Sequence, residues 1–262
     1  MKIVSWNVEN VARCLSYLPA VVEALNGPDV LCLQELRVRA CDADALNALS
    51  TAVPGYGCHF SLPRDDRNVT FRGGRMYGVA TFVKGRWRAE VLEWDREGRV
   101  VAVRRGRLAV VNLYAVNGTS KPWLDESGRA AGTRHEFKRR FQARLLDLGR
   151  ALREEGSVVL IGDWNVTPTA QDTHPRLRTE EPHASARADL AERTAAAGFV
   201  DIWRALHPSE RAYTWFNRRA RGLDAARVDY ALVSDDLTAK IRAAEIHGLL
   251  PWSDHAPISV EW

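Results

Sequence analysis

The residues of this sequence that are able to do chemistry stand where apolar runs stop. "VVLIGDWNVTP" (158–168) is an apolar run of strand length that breaks at Gly162 and delivers Asp163 and Asn165 just past its end. "KIVSWNVEN" alternates Ser5, Asn7 and Glu9 with apolar residues, "DVLCLQE" ends in Glu35, and "WSDHAP" supplies Asp254 and His255. Singly, an acid or amide at such a break is ordinary turn chemistry. Four such endings place oxygen donors at the tips of rigid elements, where side chains converge on a shared crevice. Carboxylates and amide oxygens with no Cys or multiple His nearby suit Mg²⁺, or Mn²⁺ in its place, better than zinc. Glu35 is the leading ligand candidate, with Asn7, Glu9 and Asp254 around it.

"RVDY" adds Asp229, after a basic residue in the middle of an apolar strand. A buried Asp needs a partner, and a His within reach is held in one tautomer and favoured as imidazolium. Asp229 with His255 would form a positively charged unit that stabilises charge developing on a phosphoryl oxygen. His59, His135, His174, His183, His207 and His247 have no such context and read as surface or core residues.

The elements that must carry these residues alternate between strands and helices. Residues 2–7 and 29–34 read as buried strands, separated by a helical stretch that Pro19 starts or breaks. "YGVATFV", "RVVAVRR" and "RLAVVNLYAV" are β-rich runs, the last two joined at Gly106 in a pattern that predicts a hairpin. A polar loop, "GTSKPWLDESGRAAGTRH", leads to a long helix predicted over about 134–155. There Phe137, Phe141, Leu145, Leu148 and Leu152 form the apolar face, and Lys138, Arg139, Arg140, Arg144 and Arg153 the polar one. "ASARADLAERTAAAG" predicts an Ala-rich helix that Gly198 closes. Strands "ARVDYALVS", "IRAAEIHG" and "APISVEW" finish the chain. Such an order implies a layered α/β sandwich with helices covering two sheets.

Length and composition bound the reading. At 262 residues with 46% hydrophobic and 27% charged residues, the chain is expected to fold as one domain, 1–262, rather than to be disordered. The net charge of +4 is mild and raises nucleic-acid binding only slightly. The basic runs at 104–107, 138–144 and 218–221 concentrate it, although solvated faces also look this way. Cys14, Cys32, Cys41 and Cys58 form no CxxC pair, which argues against structural zinc, and Cys32 reads as a core residue. No leader-like segment and no apolar run of about 18 residues is present, so a reducing, cytoplasmic setting without a membrane partner is expected.

"SWNVEN", "PDVLCLQE", "YGVATFVK", "VVNLYAVNG", "VVLIGDWNVTP", "GFVDIWRALHP", "AYTWF", "RVDYALVS" and "SDHAPI" occur in the order of the signature blocks of a known family. The chain resembles the exonuclease III family of abasic-site endonucleases, within the endonuclease/exonuclease/phosphatase superfamily, from Lys2 to Trp262. The resemblance implies a four-layer αββα sandwich of two mixed sheets flanked by helices. It also implies a Mg²⁺-dependent monomer that holds DNA by its phosphate backbone, cleaves 5′ to abasic sites and removes 3′-terminal groups.

Carried over by position, Asn7, Glu35, Glu9 and Asp254 match the metal-site residues. Tyr114 matches a tyrosine that contacts the scissile phosphate, Asp163 the residue that activates water, and Asn165 the amide that orients phosphate or water. Asp229 and His255 match the Asp–His pair. Trp215 and Phe216 match part of the sugar pocket, and Lys138 a basic residue ahead of an aromatic. Lys138 and Arg227 are expected to contact DNA. Two departures bear on the substrate: Val116 stands where the family usually has Pro, and Ala226 is smaller than the residue usual there. A phosphodiesterase or phosphatase acting on a small molecule or lipid headgroup is the alternative reading, and a catalytically silent DNA-binding domain a third.

Overall fold

Runs rich in Val, Ile, Leu and aromatic residues form the strands, because branched and flat side chains pack well on a pleated surface. The computed structural model describes every residue except 66, 69, 72, 73, 76, 91, 176–180 and 219–223. Of the basic run at 218–221, only Arg218 lies within the described residues.

In chain order the first strands are β1 (Lys2–Asn7), β2 (Val30–Gln34), β3 (Tyr56–Ser61), β4 (Thr70–Phe71), β5 (Gly74–Arg75), β6 (Val79–Lys84) and β7 (Arg88–Glu90). Next come β8 (Val100–Arg105), β9 (Leu108–Tyr114), β10 (Pro122–Leu124), β11 (Ala130–Thr133) and β12 (Ser157–Asp163). The last are β13 (Phe199–Asp201), β14 (Trp215–Phe216), β15 (Ala225–Ala226), β16 (Asp229–Ser234), β17 (Ala243–Ile246) and β18 (Ile258–Glu261). The helices are α1 (Leu18–Ala24), α2 (Ala43–Thr51), α3 (Arg134–Arg153), α4 (His183–Ala196), α5 (Ile202–Leu206) and α6 (Asp235–Thr238).

One six-stranded sheet has the order β17-β18-β1-β2-β6-β3 and the other the order β13-β16-β12-β9-β8-β7. Each is mixed, with one parallel pair (β1 with β2, β9 with β12) among antiparallel neighbours. Alternate residues of each strand face opposite ways, so three apolar layers result. Ile3, Val30 and Cys32 meet Val110, Val159 and Ile161 between the sheets. Val4, Trp6 and Leu31 pack under Leu18, Val22 and Leu49 of α1 and α2. Val111, Leu160 and Leu232 pack under Phe141, Leu145 and Leu190 of α3 and α4. This is the four-layer αββα sandwich. Between the sheets Gln34 Nε2 donates to Asn112 Oδ1 (2.7 Å) and to Ser5 Oγ (2.9 Å), a buried polar tie that fixes one sheet against the other.

Local signals explain where elements start and stop. Pro19 lies in the first turn of α1, and the expected hairpin joins β8 to β9 with Gly106 at φ 60°. Gly198, at φ 69°, follows α4 as expected. The stretch after Tyr114, read as a loop, instead contains the β10–β11 hairpin, which runs into α3 through a capping box of Thr133 and Glu136. No helix among the described residues is long and apolar enough to cross a membrane.

Candidate active site

Three neighbouring strands of the second sheet end level with one another. Asp163, the last residue of β12, is the register partner of Tyr114 at the end of β9 and of Asp229 at the start of β16. The sequence placed Asp229 in the middle of its strand; it opens the strand instead, which is what sets it beside Asp163. Gly162 makes the close approach possible, because a Cβ there would lie 1.9 Å from the carbonyl oxygen of Leu113.

Both carboxylates are buried, and Asp229 Oδ2 lies 2.8 Å from His255 Nδ1. Burial alone would lower the imidazole pKa, but the charge and hydrogen bond of Asp229 outweigh it and raise it to about 10. His255 is therefore an imidazolium at neutral pH. The Asp163 carboxyl is pushed well above the usual carboxylate range, first by burial and then by the negative charge of Asp229. The loop holding His255 is tied to β1, since Trp6 Nε1 donates to the His255 carbonyl (3.0 Å) and Ser253 Oγ to that of Asn7 (2.6 Å).

The first sheet supplies the other half. Asn7 ends β1 and is the partner of Gln34, so Glu35 emerges one residue further on. Asn7 Nδ2 donates to Glu35 Oε1 (3.1 Å) and to Asp163 Oδ2 (3.0 Å), which bridges the two sheets. The Asn7 oxygen accepts from the Glu9 amide at 2.9 Å. Asp163 Oδ1 accepts from the Asn165 amide (2.8 Å), and Asn165 Nδ2 donates to the Ala115 carbonyl (2.9 Å). Glu9, Glu35, Arg37 and Asn165 all have φ between 53° and 58°, and Asn26 is the one other non-glycine residue with positive φ among the described residues. Backbone strain thus concentrates at this site.

A cavity of about 590 Å³ opens over these groups, lined by Glu9, Glu35, Tyr114, Asp163, Asp254 and His255 among others. The donors facing it from the first sheet and the Asp254 loop are carboxylates, the chemistry of a hard divalent cation. Potential ligand atoms of Asp163, Asp229 and His255 also lie within 4.8 Å of one another. An imidazolium has no lone pair to offer, however, so Asp229 and His255 serve better as an internal ion pair than as ligands.

The Endonuclease/Exonuclease/phosphatase family model matches residues 4–255. The chain belongs to this family. An exodeoxyribonuclease of Bacillus subtilis is 27% identical over 277 residues, covering 99% of this chain and 98% of that protein. A DNA-(apurinic or apyrimidinic site) endonuclease of Dictyostelium discoideum is 30% identical over 276 residues, covering 99% of this chain and 70% of that protein. Among solved structures, a 3′-5′ exonuclease from Neisseria meningitidis superposes with a TM-score of 0.77 at 26% identity, covering 100% of this chain and 99% of that one.

Within this Endonuclease/Exonuclease/phosphatase site, Glu9, Glu35, Tyr114, Asp163, Asn165, Trp215, Asp254, His255 and Lys138 line the cavity. Asn7 and Asp229 stand behind it, each bonded to a residue that does line it. Trp215 Nε1 donates to Asp254 Oδ2 at 3.1 Å. Phe216 does not line the cavity; its amide holds the Asp254 carbonyl (2.9 Å), so it latches the loop rather than the substrate.

Arg227 is also a correction. Its side chain is fully buried, with Nε 2.7 Å from Asp172 Oδ1 and Nη2 2.6 Å from Asp201 Oδ2, and it cannot reach DNA. Lys138 corrects the helix reading: it is buried, not on the polar face of α3, and Nζ donates to the Asn165 carbonyl at 2.7 Å. Burial pulls its pKa down to about 8.

Sequence reasoning missed Arg37, Asn117, His183 and Arg187, which also line the cavity. His183 and Arg187 are four residues apart on α4, a spacing that puts both on one face and was the available signal.

Proposed function

We propose that this chain is a divalent-cation-dependent DNA phosphodiesterase of repair. It cleaves 5′ to abasic sites and trims or cleans 3′ ends by attack of water on phosphorus. We read residues 1–262 as one domain acting as a monomer that holds DNA by its phosphates. The observation that carries the reading is the setting of Asp163, with Asn7 and Glu35 on one side and Asp229 and His255 on the other, in the wall of a cavity of about 590 Å³. The activities named for the exodeoxyribonuclease and abasic-site endonuclease relatives support it over a small-molecule or lipid phosphoester.

In this mechanism Asp163 accepts the proton of a water as that water's oxygen bonds to phosphorus and the bond to the leaving oxygen breaks. Its raised pKa makes it a competent base near neutral pH, and the amides of Asn7 and Asn165 fix its two oxygens. The His255 imidazolium, held by Asp229, and the Tyr114 hydroxyl stabilise charge on the phosphate oxygens. Burial raises the Tyr114 pKa well above its ordinary value, so the hydroxyl stays protonated and able to donate. Asn165 orients the phosphate. Glu35, with Glu9 and Asp254 beside it and Asn7 behind, would hold Mg²⁺ or Mn²⁺, which when bound supplies Lewis-acid stabilisation of that same charge.

Asp163→Asn tests the assignment. Turnover on an abasic duplex should fall by roughly 10²- to 10⁴-fold with little change in DNA affinity. Near-normal turnover would remove Asp163 from the role of base.

A further inference from the structure

An aromatic stack that the cleavage step does not use lies on two segments that adjoin this site. The Tyr17 ring stacks on Trp252 with centroids 4.6 Å apart and planes at 23°. Tyr17 is 49% exposed, and Leu249, on the same loop as Trp252, is 48% exposed. Among the described residues the other large hydrophobic side chains so exposed are Phe60 and Leu206. A flat aromatic surface kept half in water and backed by a second ring is suited to taking another flat group on its open face.

Both halves of the stack belong to segments that carry cavity residues. Trp252 stands two residues before Asp254, and Tyr17 closes the turns that follow Glu9. The segment behind Trp252 is held in place by the Ser253 bond to the Asn7 carbonyl. Two guanidinium groups lie between these segments at Glu9. Arg13 Nη1 lies 3.0 Å from Glu9 Oε1, while Arg218 Nη1 lies 3.9 Å from Glu9 Oε2 and its Nη2 donates to the Pro251 carbonyl at 3.4 Å. A rigid aromatic ring on segments that also carry arginines and cavity residues matches the chemistry of an unpaired nucleotide: the ring stacks a base and the cations face its phosphates. A base inside a duplex has both faces covered by neighbours and gains nothing from such a surface.

We propose that Tyr17, backed by Trp252, is a stacking platform for an unpaired nucleobase of the substrate strand, next to the phosphate being cut. This rests on the DNA reading of the cavity. It gives the protein a preference for frayed or single-stranded flanks over fully paired ones.

The test compares the whole protein with Tyr17→Ala and Tyr17→Phe, binding a single-stranded oligonucleotide and a blunt, fully paired duplex of the same sequence. Incision of a duplex with an internal abasic analogue is measured beside it. Tyr17→Ala should weaken single-strand binding by roughly 5- to 150-fold and duplex binding and incision by less than about 2-fold, and Tyr17→Phe should restore the wild-type values. Equal weakening on both DNAs, or none on either, overturns the platform while leaving the DNA reading intact. A change in oligomeric state on Tyr17→Ala would assign the patch to a second copy of the chain and also overturns it. A wild-type protein that neither binds nor cuts any of these DNAs overturns the DNA reading, and the platform with it.

Discussion

Asp163 and Asp229 are cross-strand neighbours that cannot both be carboxylates in a buried setting without a nearby cation, and His255 provides one. The pair makes a prediction in pH. The His255 pKa is raised from 6.5 to about 10, so the stability it contributes is fully present below about 6.5 and is lost as pH rises through about 10. In Asp229→Asn the largest raising charge is gone while burial and the pull of Asp163 and Asp254 remain, so the imidazole resonance should titrate well below 10. NMR of the two proteins decides it, and an unchanged titration would contradict the ion pair.

At this scale the sequence was legible where residue type and strand ends coincided. Asp163, Asn165, Glu35 and His255 follow apolar runs whose ends are unmistakable. Lys138 and Arg227 were not legible, because periodicity gives a helix face or a strand but not the partner that draws a cation inward. Carbonyl oxygens and acids, invisible in a linear reading, decide both.

Arg227 shows what the elements do around the site. Its guanidinium joins Asp172, which ends the turn Ala170–Asp172, to Asp201, whose side chain caps α5. Arg204 reaches Asp172 as well, at 2.6 Å. The amide of Arg227 donates to the Asp172 carbonyl, and Thr173 bridges to Ala226, so the network clamps a wall of the cavity. Removing one partner of a buried pair leaves an uncompensated charge. Arg227→Ala is therefore expected to cost about 3–5 kcal/mol in denaturant unfolding. The KM for DNA of the folded variant should stay near wild type. Full stability with a raised KM would restore Arg227 to the substrate.

Most strands of the two large sheets were readable as β-rich runs, α3 from its periodicity and α4 from its alanines, with Pro19 marking the start of α1 and Gly198 the end of α4, whereas β3, β7, β13 and α2 were not read. The β10–β11 hairpin was not, since short polar strands bury too little to leave a pattern. The Thr133-to-Glu136 spacing at its end was the one signal there.

At the scale of the molecule, neither sheet holds a complete site. Sheet one brings Asn7 and Glu35, sheet two brings Tyr114, Asp163 and Asp229, and Asn7 joins them across the interface. That convergence could not be read from any single block, only from the order of all of them. The buried tie of Gln34 to Asn112 explains how the two halves keep their alignment.

The most direct measurement is cleavage of two labelled duplexes, one with an internal abasic analogue and one with a recessed 3′ end, with Mg²⁺, with Mn²⁺ and with chelator. Incision 5′ to the abasic analogue or shortening of the recessed end is expected with either metal, abolished by chelator and depressed by Asp163→Asn. Cleavage that persists in chelator, or no cleavage of either duplex by the intact protein with metal present, would contradict the proposed reaction.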